Sequence, residues 1–331
     1  MKPIYVVTGG TGHIGVSLIR LLIAQDKRVR LFILPGDPLL GLKDLPLEIV
    51  EGDVRDYASL KKAFEGAEVV FHLASFVSIG SYHKNLVWRI NVDGVRNVIK
   101  ACLTCKVGRL VYMSSIHAFE EPPTGSPILE TKDFGPEHVM GTYAKTKAEA
   151  TRLVLQAVKE KGLDAVIVHP TGVFGPFDYK PSHTGQLIRD FMAGRLHAYT
   201  DGTYDYVDVR DVAEGALAAA NMGRKGENYI LSGEQITVKE MMDMLEEITG
   251  KPAPRLWLPL WLARVTAPAS ELYYKILKRP PLYTPYSIFT LSSNSLTSHD
   301  KATKEWGYHP RRVKESIFDA VKWLSSPAFG S

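Results

Sequence analysis

A short apolar run, residues 4–8 (IYVVT), leads without interruption into Thr8-Gly9-Gly10-Thr11-Gly12-His13-Ile14-Gly15 and then into a helical pattern. Gly9, Gly12 and Gly15 have a GxxGxxG spacing. That spacing lets a chain turn tightly, approach an anion with its backbone and pack a helix close to a strand. The helix N-terminus adds N–H groups and the positive end of its dipole. A strand, such a loop and a helix in this order are expected to hold the pyrophosphate of a dinucleotide, with Thr8, Gly9, Gly12, His13, Ile14 and Gly15 against it.

The pattern continues beyond the loop. Strand-like runs at 4–8, 29–34, 48–51, 69–73, 110–114 and 165–169 alternate with helical periods near 13–26, 56–65, 85–105 and 142–161. That alternation predicts an α/β fold with a Rossmann-type, doubly wound parallel sheet. After Pro170 the pattern loosens, with a helical period at 185–192 and a strand end followed by a helix at 207–221. The expected division is a dinucleotide domain over 1–175, rejoined by 204–233, and a smaller C-terminal substrate-binding region formed by 176–203 and 234–331.

Other classes of function find little support. A formal charge of +4 over 331 residues, with Lys and Arg scattered among Asp and Glu, gives no reason to expect nucleic acid. The ten histidines lack metal-ligand spacing, so no metal site is expected. Cys102 and Cys105 form a CxxC inside an amphipathic helical pattern and read as core residues rather than a redox pair. The start MKPIYVVTGG has no secretory layout, and the most apolar stretch, 256–269, is broken by Pro259, Arg264 and Pro268. A cytoplasmic protein without a membrane span is expected.

The end of the second strand discriminates between cofactors, because an acid there holds a ribose 2′-hydroxyl and an arginine holds a 2′-phosphate. This chain reads Ile33-Leu34-Pro35-Gly36-Asp37, with no Arg or Lys after Arg30 until Lys43. Leu34 and Asp37 are the candidates beside that ribose. The cofactor expectation is NAD(P) with a lean to NAD.

A second stretch carries chemistry. In Gly141-Thr142-Tyr143-Ala144-Lys145-Thr146-Lys147, helical geometry brings Lys147, four residues on, toward Tyr143 and points Lys145 elsewhere. A free phenol keeps its proton to about pH 10, so work near neutrality needs positive charge nearby, from a cation and from an oxidised nicotinamide ring. Lys147 is placed to supply the cation.

TGGTGHIG, Asp53 in GDVRD, HLAS at 72–75, the asparagine of NVDG, VYMSS, YAKTK and HPTGVFGP stand in one order over residues 1 to about 215. Together they resemble the extended short-chain dehydrogenase/reductase family, nearest to its dihydroflavonol reductase-like and 3β-hydroxysteroid dehydrogenase-like branch. The resemblance implies that Asp53 and Val54 meet the adenine, and that Leu73, Ala74 and Ser75 pass the cofactor's ribose. It further implies that Met113 lies beside the cofactor, and that Pro170, Thr171, Gly172 and Val173 place the nicotinamide amide. The catalytic set it implies is Ser115, Tyr143, Lys147 and Asn91: Tyr143 exchanges the proton, Lys147 holds the ribose and tunes the phenol, Ser115 orients the substrate oxygen, and Asn91 supports the site. A homodimer is the family habit.

Where sugar-nucleotide members carry an arginine before Asp-Tyr, this chain has Tyr204 in Tyr204-Asp205-Tyr206. Where dehydratases carry Thr-Asp-Glu after the first serine, it reads Ser115-Ile116-His117-Ala118. The stretches LWLPLWLARV and LYYKILKRPPLYTPYSIF suit an apolar pocket better than a diphosphate clamp. The expected function is therefore an alcohol dehydrogenase or carbonyl reductase for a bulky, mostly apolar small molecule, steroid-like or phenolic, with His117, Phe174, Phe177, Tyr179 and Tyr204 lining its pocket. Two alternatives stay open: an epimerase or dehydratase that borrows and returns the hydride, and a dinucleotide-binding sensor without catalysis.

Overall fold

Strands covered on both faces need apolar side chains on both, and this chain supplies them. The computed structural model describes residues 2–77, 83–123, 125–267 and 285–326. Its strands are β1 (Ile4–Thr8), β2 (Arg28–Ile33), β3 (Leu47–Glu51), β4 (Ala67–His72), β5 (Arg109–Met113), β6 (Ala165–Pro170), β7 (Gly172–Phe174), β8 (Ala198–Thr200), β9 (Thr203–Asp208), β10 (Asn228–Leu231), β11 (Glu234–Thr237) and β12 (Leu256–Leu258). Seven of them form one sheet in the order β3-β2-β1-β4-β5-β6-β10, every neighbouring pair parallel.

Alternation along each strand divides the core in two. Tyr5 and Val7 face a layer made by α1 (His13–Ala24), through Val16, Ile19 and Leu22, and by α7 (Val209–Met222), through Val212, Ala216 and Ala219. Val6 faces the other way, onto α2 (Tyr57–Phe64), α4 (Gly94–Cys105) and α5 (Thr142–Lys161), where Leu60, Val98 and Val154 are fully buried. Cys102 belongs to this second layer, and burial pushes its thiol pKa up.

The expected helix over 85–105 is not one helix. It comprises α3 (Lys84–Trp88), a π turn at Arg89–Asp93 and α4. Helical periodicity alone cannot see such an insertion, because the wider turn keeps the pattern of buried residues going.

A third cluster lies apart from the large sheet. Phe174 of β7 packs there with Ile188 and Phe191 of α6 (His183–Met192), Met241 and Leu245 of α8 (Val238–Thr249), and Ile317 of the helix Val313–Leu324. A three-stranded sheet, β11-β9-β7, joins it to the crevice, with β7 parallel and β11 antiparallel to β9. Among the described residues no helix is long and apolar enough to cross a membrane.

Candidate active site

The strand order reverses between β1, which neighbours β2, and β4. In such sheets the crevice at the carboxyl ends of the strands at that switch point receives ligands. The glycine loop opens at the end of β1. Gly9 has φ +70°, and a Cβ there would stand 2.6 Å from Ala74 N, so glycine permits the loop to touch the end of β4. A Cβ on Gly15 would stand 2.4 Å from Gly9 O. Gly12 caps α1 without any side-chain hydrogen bond, and a Cβ there would meet only Gly9 O at 3.3 Å. Backbone N–H groups therefore face a cradle that side chains would fill, and these residues fit a dinucleotide pyrophosphate.

Around this loop the sequence candidates take the following places. Leu73 N donates to Thr8 O at 3.1 Å and Ala74 N to Thr8 Oγ1 at 3.3 Å. His13 Nε2 lies 2.8 Å from Pro176 O, while Ile14 packs against the first core layer. Leu34 is exposed. Asp37 accepts from Thr11 Oγ1 and pairs with Lys180 Nζ at 2.6 Å. Burial pushes its carboxyl up, but Lys180 and Thr11 outweigh that and hold it below the usual carboxylate value. Asp53 carries Arg55 on its carboxylate, which lowers its pKa, and Val54 turns its side chain into the core against Gly94. Lys180 and Arg55 were not among the sequence candidates. Lys180 lies 143 residues from its partner, and no local pattern links them.

The chemical groups gather at the ends of β5 and α5. Lys147 and Tyr143, one helical turn apart on α5, face the crevice, and Lys147 Nζ donates to Met113 O at 2.8 Å. It lies 5.9 Å from the centre of the Tyr143 ring. Ser115 Oγ accepts from His117 N at 3.3 Å and lies near enough to the Tyr143 hydroxyl to draw its pKa down. Ser114 faces the other way and shares a 2.7 Å hydrogen bond with Thr151. Asn91, inside the π turn, accepts from Phe76 N at 2.8 Å and Ser75 Oγ at 3.2 Å and donates to Thr146 Oγ1 at 3.1 Å. It thereby ties the end of β4 to α5. Thr171 Oγ1 donates to Asp205 Oδ1 at 2.6 Å, and Thr171 N to Leu231 O at 3.3 Å.

One electrostatic expectation needs correcting. Burial raises the Tyr143 pKa to about 12, against the opposing influence of Ser115, and lowers that of Lys147 to about 7. The ammonium does not acidify the phenol in the protein alone, because it is directed at a backbone carbonyl and lies over the ring. The phenol keeps its proton, the state required to donate to a carbonyl oxygen.

Three expected pocket residues also lie elsewhere. Phe174 is fully buried in the third cluster, while Phe177 and Tyr179 pack on Trp323, with Arg20 over Phe177 and the Tyr179 ring against Gly41. A short loop after β7 aims these rings toward α1, away from Tyr143. His117 and Tyr204 do come together: Nε2 and the hydroxyl are 2.9 Å apart, and the His117 ring meets Tyr143 edge-on at 6.3 Å. Tyr204 can lie there because Gly172 has no side chain, since a Cβ would stand 2.6 Å from the Tyr204 ring. Of the second aromatic stretch, residues 272–284 lie outside the described residues.

Behind the site two histidines are buried. Desolvation holds His72 and His169 near a pKa of 3, against the ordinary 6.5. Between those values the unfolded chain binds more protons than the folded one, so stability is complete above pH 6.5 and falls as the pH drops toward 3. Urea midpoints at pH 7 and 4.5 are expected to fall steeply in the native protein. His169→Leu is expected to give a lower midpoint at pH 7, having lost the 3.1 Å contact to Ser115 O, but a shallower pH dependence.

The chain is 35% identical over 323 residues to sterol demethylase protein B of Methylococcus capsulatus, covering 96% of this chain and 97% of that one. It is 32% identical over 333 residues to a putative dihydroflavonol 4-reductase of Synechocystis, covering 99% and 96%. The crystal structure of gox2253 superposes with a TM-score of 0.85 at 33% identity, covering 97% of each chain. The chain belongs to the NAD dependent epimerase/dehydratase family, whose model matches residues 5–232, and it is an enzyme of the extended short-chain dehydrogenase/reductase type.

Proposed function

We propose that the protein is an NAD(P)-dependent alcohol dehydrogenase or carbonyl reductase acting on a bulky, mostly apolar small molecule. The observation that carries this reading is the placement of Tyr143, one helical turn from Lys147, beside an aromatic pair, His117 and Tyr204, where sugar-nucleotide enzymes would use a cation. The printed names of the relatives, a sterol demethylase protein and a dihydroflavonol 4-reductase, point to the same kind of molecule.

Gly9, Gly12, His13, Ile14 and Gly15 would hold the pyrophosphate of a bound dinucleotide and Lys147 its inner ribose, and that group would supply or accept the hydride. The chain's own groups do the rest. Ser115 Oγ orients the substrate oxygen, and the Tyr143 hydroxyl delivers a proton to it in reduction or takes one in oxidation. Lys147 lies over the Tyr143 ring, 5.9 Å from its centre, and Asn91 keeps α5 in place against the end of β4. Residues 176–203 and 234–331 form the substrate side, and the active form is a cytoplasmic homodimer. Sedimentation of the purified protein tests the dimer.

We read the cofactor preference as NAD. Asp37, held ionised by Lys180 and Thr11, accepts a ribose hydroxyl and repels a 2′-phosphate. Asp37→Asn is expected to shift the ratio of NADPH to NADH affinity toward NADPH by about tenfold, roughly 1.4 kcal/mol. Fluorescence titration with each nucleotide measures it, and an unchanged ratio would remove Asp37 from the assignment.

The decisive assay follows nicotinamide absorbance with NADH and NADPH against ketosteroids, aromatic ketones, aldehydes and UDP-sugars, with product analysis of each mixture. Net oxidation of the nucleotide with an apolar carbonyl supports the reading. A converted sugar nucleotide with no net absorbance change would replace it by epimerisation or dehydration, the other activities named in the family's description.

A further inference from the structure

The end of β2 carries no cation of its own, but the fold brings one to it from the substrate side. Between β7 and α6 the chain runs back over the glycine loop and α1. His13 Nε2 meets Pro176 O at 2.8 Å, the Arg20 guanidinium lies 5.0 Å from the centre of the Phe177 ring, and the Tyr179 ring packs on Gly41 and Trp323. These contacts fix the path of residues 176–179 and set the next residue, Lys180, down on Asp37. Lys180 Nζ donates to Asp37 Oδ1 at 2.6 Å and to Thr11 Oγ1 at 3.2 Å, and the Thr11 hydroxyl donates in turn to Asp37 Oδ2. A carboxylate, an ammonium and a hydroxyl of the glycine loop close into one cluster.

Holding the loop in place does not account for this pair. An ion pair near the surface contributes little to stability, and the loop already has its own anchors on α1 and Gly41. What the pair does change is the charge at the point where the nucleotide is selected. Asp37 alone would repel a 2′-phosphate, and Lys180 offsets that repulsion. The Lys180 side chain is 43% exposed against 20% for Asp37, and its stem is flexible, so the ammonium can turn to a second anion while staying in contact with water. Among the described residues neither member has another ion pair. The remaining charged groups nearby are engaged or face solvent. Arg20 Nη2 donates to Gly41 O at 2.7 Å, and Asp178 accepts from Ser182 N at 2.9 Å and stands 4.0 Å from His13 Nδ1. Lys43 and Asp44 are exposed further along the loop after β2.

We infer that Lys180 is a specificity-determining residue for the nucleotide: it offsets Asp37 and offers its ammonium to a 2′-phosphate, so that the protein binds NADPH as a second cofactor and its preference for NADH is modest. The inference rests on the placement of the adenosine ribose beside Asp37 and adds the cation that the end of β2 lacks.

The test measures binding of NADH and NADPH to the purified protein by calorimetry, with no substrate present. It compares the native protein with Lys180→Met, Lys180→Arg and Asp37→Asn, and urea midpoints check that each variant folds. Lys180→Met is expected to raise the ratio of the NADPH to the NADH dissociation constant by about tenfold or more, the loss of one charge-assisted hydrogen bond. Lys180→Arg keeps the charge and is expected to stay close to the native ratio. Added salt is expected to weaken NADPH binding more in the native protein than in Lys180→Met. A merely structural role for Lys180 would weaken both nucleotides alike and leave the ratio unchanged.

An unchanged ratio in Lys180→Met, with the expected shift toward NADPH in Asp37→Asn, would overturn the role of Lys180 and leave the reading of Asp37 standing. A raised ratio in Lys180→Met with no shift in Asp37→Asn would do the reverse. No shift in either variant would overturn both.

Discussion

Tyr143→Phe is expected to lower kcat by about 100- to 10,000-fold, the usual contribution of a positioned acid or base, while leaving NADH affinity unchanged. The substitution deletes one oxygen and keeps the ring that packs edge-on to His117 and lies under Lys147. The hydroxyl it removes has a pKa raised to about 12 by burial, so it is protonated at neutral pH and is the group positioned to give a carbonyl oxygen its proton. Ser115 would remain but would be a poor replacement, since an aliphatic hydroxyl gives up its proton far less readily than a phenol. Steady-state reduction of any ketone that the native enzyme accepts, with a parallel nucleotide titration, measures both quantities. Full turnover in the variant would mean that the proton comes from another group.

Gly15→Ala is expected to have a different signature: a less stable fold and weakened dinucleotide binding. The added Cβ would stand 2.4 Å from Gly9 O and 2.5 Å from Gly10 Cα, both backbone atoms. Either the loop or α1 must move. Overpacking of this kind costs about 1–3 kcal/mol, and the displaced N–H groups should weaken NADH binding by about tenfold or more. Gly12→Ala provides the comparison. Its Cβ would approach only Gly9 O, at 3.3 Å, and would project into the cradle. That variant should keep most of its stability and still bind NADH poorly. Urea midpoints and fluorescence titration of the two variants separate helix packing from anion approach, and equal midpoints would contradict the crowding at Gly15.

Much of this was legible in the sequence, for identifiable reasons. The parallel sheet announced itself because strands such as 4–8 and 165–169 are apolar on both faces and are separated by helical periods. Tyr143 and Lys147 were legible because helical spacing is local. The pairing of Lys180 with Asp37 and the ties from Asn91 to Phe76 and Thr146 were not, because those contacts join segments whose proximity only the tertiary fold decides. Phe174 and Phe177 were misplaced for a related reason. An aromatic residue near a catalytic strand can face the pocket or the core: Phe174, the last residue of β7, turns into the third cluster, and the turn that follows, where Phe177 has φ 69°, sets the Phe177 ring on Trp323. The proton balance of Tyr143 and Lys147 also could not be read from spacing, since burial sets both shifts.

The π turn at Arg89–Asp93 also sets a phase relation. Val87, Asn91 and Val95 are all buried and stand four residues apart. In an unbroken α-helix, eight residues turn the chain through two full circles and about 80° more. Val95 and the Val98–Cys102 stripe behind it would then point well away from the direction of Val87. The wider turn absorbs that excess rotation. One continuous rod of backbone can thus keep Val87, Asn91 and Val95 buried together, with the Asn91 amide bonded to the end of β4 and to α5.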